Sequence, residues 1–235
     1  MITDYARLLY AICKGKIEIS ANDHRDVYET VEERLKHIAK FDPAAVAAIT
    51  PEVRAEMIAT NTLICVDIAP EKPEEEFSFL GASLEKVLEA AYIVAVELRG
   101  KGCVAWPADS INLTAVFGEL IATAKCSVSL TINEFKAKHW DIEKQDYVFD
   151  MNAKEYLRDL EITCPDRFQS DEEDEAEIGP GLGQQMVDRN EVLSLAFYPN
   201  TPVGFYNFMH VDLEGMITGA LELCKREVLT MEEIQ

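Results

Sequence analysis

The chain lacks the features that would place it in several large functional classes. No apolar run approaches the ~20 residues that a membrane-spanning helix needs. The most apolar stretch, residues 90–98, contains Glu97 and is flanked by Glu89 and Arg99. No Cys-x-x-Cys pair and no Cys/His cluster is present, which argues against a structural zinc site. No Gly-x-Ser-x-Gly elbow marks a hydrolase nucleophile. The glycine-rich run Gly179-Pro180-Gly181-Leu182-Gly183 has no Gly-Lys-Ser/Thr after it and follows a string of acids that would repel phosphate. No cofactor is therefore expected. No fixed-period repeat is evident.

Basic residues are also scarce. There are 22 Lys and Arg against 43 Asp and Glu, a net charge of −21. A general nucleic-acid binder needs a basic face, and docking on anionic lipid needs clustered cations, so direct contact with either is not expected. At the N-terminus Asp4 and Arg7 interrupt the pattern of a secretory signal. A cytoplasmic protein follows as the expectation. Its six cysteines, Cys13, Cys65, Cys103, Cys126, Cys164 and Cys224, are read as reduced, small apolar residues without disulfides.

What is present is a globular composition. Hydrophobic residues make up 48% of 235, and a chain of this length buries roughly 70% of its unfolded surface without staples. The acidic excess is concentrated. Residues 141–178 hold 14 acids and 4 bases, nearly half the net charge. The densest part is Asp171-Glu172-Glu173-Asp174-Glu175-Ala176-Glu177. Consecutive like charges repel, and the Gly-Pro-Gly run after them disfavours regular structure. Residues 166–190 are accordingly predicted to form an exposed acidic loop between a helix-rich body, 1–165, and a strand-turn-strand-helix unit, 191–235, that packs back on it as one domain.

Capping residues and apolar spacing predict helices after Thr3 or Asp4, after Asn22 or Asp23, at 43–49, after Thr50-Pro51, after Ser83, over about 110–125, after Asn152 and after Asp212. Strands are predicted at 63–68, with continuation of the preceding helix as the alternative, and at 127–132, 147–149, 192–198 and 203–211. The predicted fold class is α+β: a predominantly helical single domain with a small antiparallel sheet or hairpin.

Three functions compete. An acidic interaction protein would bind a basic protein surface, as an inhibitor or nucleic-acid mimic of a nucleic-acid-handling protein, through Asp171, Glu172, Glu173, Asp174, Glu175 and Glu177, extended by Glu155 and Asp159 on the preceding helix. An assembly protein would form a homo-oligomer through its apolar helices and C-terminal hairpin. A helical Mg²⁺-dependent nucleotide pyrophosphohydrolase would set Glu29, Glu32 and Glu33 on one helix against Glu85 and Glu89 on another, although such spacing also describes a solvated helix face. The first reading is preferred, and catalysis is not expected. His210, beside Asp212, is read as a strand-end side chain hydrogen-bonded near a helix cap rather than as a base.

Overall fold

The computed structural model of the chain describes residues 3–13, 15–23, 30–69, 76–100, 110–124, 127–136, 139–141, 146–148, 151–169, 177–197 and 205–234. In chain order these form α1 (Tyr5–Ile12), β1 (Ile17–Ala21), α2 (Val31–Phe41), α3 (Pro43–Ala47), α4 (Pro51–Thr60), β2 (Ile64–Ile68), β3 (Phe77–Gly81), α5 (Leu84–Arg99), α6 (Leu113–Ala124) and β4 (Val128–Ile132). Then follow β5 (His139–Asp141), β6 (Asp146–Val148), α7 (Ala153–Thr163), α8 (Pro180–Arg189), β7 (Leu193–Phe197), β8 (Tyr206–His210) and α9 (Leu213–Ile234).

Six strands make one antiparallel sheet in the order β3-β2-β1-β4-β7-β8, and β5 pairs with β6 in a separate hairpin. Alternation along the strands separates two faces. Ile17, Ile19, Ile64, Val66, Leu130, Leu195 and Phe197 point to one face and are buried beneath α1, α5, α6 and α9. Helix α1 packs on α5, and α6 packs on α9. A polar bridge ties three of these helices together. The Asp4 carboxylate accepts the backbone N–H groups of Arg7, Leu113 and Thr114. Arg7, only 7% exposed, donates to Asp4, to Glu214 at 2.8 Å and to the Ile111 carbonyl at 2.8 Å.

The architecture is two copies of one unit: helix, strand, helical insertion, strand, strand, helix. The first runs from α1 to α5 and the second from α6 to α9. They meet at β1 and β4, where Ile19 faces Leu130, Ile17 faces Ile132 and Ala21 faces Val128. Exchanging the copies maps this register onto itself, as a two-fold axis through the Ile19–Leu130 pair requires. The turns repeat as well. Asn22 and Asn133 follow the central strands, and Asn61 and Asn190 end α4 and α8; all four have positive φ, between 47° and 57°, a conformation that Asn tolerates better than most residues.

Asn22 donates its N–H to the Leu63 carbonyl at 2.7 Å and accepts the Leu63 N–H; Asn133 does the same with Val192 at 2.8 Å. The Asn61 side chain caps the N–H of Val31, and that of Asn190 caps Ala153. The small core of the first insertion, Val31, Leu35, Met57 and Leu63, is matched by Ala153, Leu157, Met186 and Val192 in the second. Residues 49–99 align with 178–228 without a gap, with Ile49, Pro51, Met57, Asn61, Phe79, Leu84, Glu85 and Ala91 recurring identically.

Three expectations need correction. A repeat exists. It has no fixed period because the second copy carries extra residues between β4 and α7 and again before α8. The α+β class holds, but the sheet is larger than a hairpin. The strands β1 and β3 are short, and their alternating sequences Ile-Glu-Ile-Ser-Ala and Phe-Ser-Phe-Leu-Gly escape notice until they pair. Residues 166–190 are not all loop: Pro165–Arg167 is a 3-10 turn and Pro180–Arg189 is helix α8. Pro180 sits at the first helical turn, where its missing N–H costs nothing. Burial of Met186 and the Asn190 cap outweigh Gly181 and Gly183. Residues 170–176 lie outside the described residues.

Candidate functional site

The sheet's second face has a different character. Its floor is built from Glu18 and Ser20 on β1, Cys65 and Asp67 on β2, Ser78 on β3 and Ser129 on β4. Helices α2 and α3 wall it with Arg34, Ile38 and Ala45, enclosing a cleft of about 330 Å³. Arg34 forms an ion pair with Asp23 at the cleft's edge. The counterpart in the second copy is Tyr156, whose hydroxyl donates to Glu134 at 3.2 Å.

The titration behaviour of the cleft follows from burial. Burial raises the Asp67 pKa above 3.8, against the opposing effect of the Ser78 hydrogen bond. The Cys65 thiol donates to Asp67 Oδ2 at 3.4 Å. Burial and the Asp67 charge push its pKa far up, so it is not a thiolate nucleophile at neutral pH. Burial opposes the charge on Lys16, but Glu18 at 2.7 Å and Glu76 at 3.4 Å hold its pKa above the usual lysine value. The second copy has Ser129 where the first has Glu18, and Ala196 where it has Asp67.

A larger groove lies at the other end of the sheet, between β8 and α9. Phe208 and Met209 line one side and Gly215, Met216, Gly219 and Leu223 the other, with Leu182 and Glu177 at its margin; the volume is about 920 Å³. The same positions in the first copy, between β3 and α5, leave about 260 Å³. There Lys86 and Ala90 stand in place of Gly215 and Gly219. On the strand side, the Glu177 carboxylate lies 3.6 Å from Arg167 Nε. Burial raises its pKa, with Arg167 acting against that rise. Its Oε1 is buried with no hydrogen-bond partner among the described residues. His210 Nδ1 accepts the Asp212 N–H at 2.8 Å, the cap-like role expected of it.

The sequence-derived candidates are dispersed. Asp171, Glu172, Glu173, Asp174 and Glu175 lie outside the described residues, and Glu177 is at the groove. Glu155 is engaged in a capping box with Asn152 on α7, and Asp159 is half-buried on the same helix. Glu29 lies outside the described residues. Glu32 pairs with Lys36 on α2, while Glu33 belongs to the first turn of that helix. On α5, Glu89 accepts the Tyr5 hydroxyl at 2.7 Å and Glu85 stands in the first turn. Among the described residues no three His, Cys, Asp or Glu side chains are grouped to hold a metal ion. Cys13, Cys65, Cys164 and Cys224 form no disulfide, and among the described residues no helix is long and apolar enough to cross a membrane.

The β8–α9 groove and the Asp67 cleft both escaped the sequence reading. Their signal was the pairwise difference between the copies, which is visible only once 49–99 is set against 178–228. No protein-family model matches the chain, and no curated protein or solved structure shows significant similarity to it.

Proposed function

We propose that this is an acidic interaction protein whose acidic segment, Asp171–Glu177, binds a cationic segment of a protein partner. The observation that carries the reading is internal. The first copy passes from the end of α2 to Ile49 through residues 43–48, and the second passes from the end of α7 to Ile178 through 165–177. The second connection is longer by the length of the acidic run. The same fold closes in the first copy without those charges, so folding does not account for them. Charge complementarity does: a concentrated anionic surface speeds encounter with a cationic one and selects against acidic partners.

The test is fluorescence anisotropy with a labelled peptide rich in Lys and Arg. Three proteins are compared: the wild type, a version with Asn and Gln across Asp171–Glu177, and a version with exposed acids neutralised elsewhere, including Glu33, Glu52, Glu97 and Glu161. Affinity falls in the first variant and with added salt, and it holds in the second. Equal losses in both variants would mean that only net charge matters and would refute the site.

A further inference from the structure

We infer that the groove between β8 and α9 receives the apolar face of an amphipathic helix borne by the cationic partner; this rests on the function proposed above and names where that partner's hydrophobic side chains go.

The two copies supply the comparison. Both form a groove between edge strand and following helix, but the second is more than three times larger. Part of the difference is Gly219, which replaces Ala90. Glycine inside a helix is destabilising relative to alanine. At Gly215 the structure gives a reason, because a Cβ would stand 2.4 Å from the Asp212 carboxylate. At Gly219 it gives none: a Cβ there would meet nothing within 4 Å. A bare helix surface beside Met216 and Leu223 lets another helix approach closely.

The occupant is a helix rather than an added strand. Side chains already engage β8 and its end, with Arg167 Nη1 donating to Met209 Sδ at 3.1 Å and Arg189 donating to the Val211 carbonyl at 2.9 Å. A strand would have to displace both, whereas a helix offers side chains only. Cationic flanks on that helix fit the margin. Glu177 Oε1 is a buried acceptor with no partner among the described residues, and it lies at the groove. Such an acceptor is costly until a donor reaches it. Glu222 adds a second carboxylate along α9, with Arg226 one turn further on.

The probes are two labelled peptides of identical Leu, Lys and Arg composition. One places its leucines on a single helical face, and the other scatters them. Each is titrated by anisotropy against the wild type and Gly219→Leu, with helicity and unfolding of both proteins checked by circular dichroism. The amphipathic peptide binds the wild type about tenfold tighter, the worth of roughly one buried apolar side chain. Gly219→Leu fills the groove and removes that advantage, while leaving the scattered peptide's affinity unchanged.

Equal binding of the two peptides, or an advantage that survives Gly219→Leu, would overturn the groove assignment and leave the acidic-segment reading intact. Binding of neither peptide would overturn that reading, and this inference with it. If the free protein sediments as a dimer that Gly219→Leu converts to a monomer, the occupant is a second copy of this chain and the partner helix is refuted.

Discussion

Glu177 stands where Ala48 stands. Each precedes an isoleucine and then a proline-started helix, and each lines the groove between its copy's edge strand and following helix. One backbone is thus built with a methyl group in one copy and a half-buried carboxylate in the other. Comparison of the copies separates what the fold requires from what it does not. The four Asn turns and the paired insertion cores are required. The acidic segment, the enlarged groove and the Glu18/Asp67 carboxylates occur once.

The shared turns should be equally costly to lose. Asn61→Ala and Asn190→Ala each remove a helix-start cap, at 3.1 Å to Val31 N and 2.8 Å to Ala153 N. Each also places alanine at positive φ. Losses of about 2–3 kcal/mol are expected by urea unfolding, from the cap and the left-handed backbone together. Asn→Gly at the same sites keeps the backbone and loses less. A large effect at one site and none at its counterpart would contradict the equivalence.

The glycines of α9 should respond differently to alanine. Gly219→Ala gains about 0.5–1 kcal/mol, because the helix improves and nothing is displaced. Gly215→Ala gains less or loses, because the Asp212 carboxylate must move. Thermal unfolding of the two variants distinguishes them. Destabilisation by Gly219→Ala would mean that the fold needs that glycine.

Asp67 should be retained at the expense of stability. Its pKa is raised in the folded state, chiefly by burial, so the folded protein binds this proton more tightly than the unfolded chain. That contribution is fully present below the unfolded value of about 3.9 and is lost as pH rises through the folded value. Asp67→Asn is therefore more stable than the wild type at pH 7, and the gap closes as pH falls below about 4. Urea unfolding at both pH values measures it. A gap that is independent of pH would show that ionisation is not its cause.

The buried bridge at Arg7 should be structural. Arg7→Met leaves Asp4 and Glu214 without their cation. Glu214 is partly exposed, so the loss falls short of a fully buried pair, at about 2–3 kcal/mol. Chemical denaturation reads it directly, and peptide affinity should not change.

Much of the fold was legible because local chemistry agrees with it. Thr50-Pro51, Ser83 and the Asn152/Glu155 box each start a helix where cap rules place one. The misses share a cause. The strand β1 is short, with Glu18 and Ser20 on its second face, and its apolar residues become meaningful only opposite β2 and β4. Helix α8 contains Gly181 and Gly183 and is held by Met186 and by the Asn190 turn rather than by propensity. Of the candidate site, Glu177 was legible from charge. The groove it borders was not, because Phe208, Gly219 and Leu223 converge only when β8 and α9 pack.

The central claim is that this protein acts where its two copies differ. Amide hydrogen–deuterium exchange with and without the amphipathic cationic peptide tests it in one experiment, since each copy is the other's control. Protection should rise over 177–182, β8 and the first turns of α9, and stay unchanged over 48–53, β3 and α5. Equal protection of both copies, or protection confined to the first, would contradict the account.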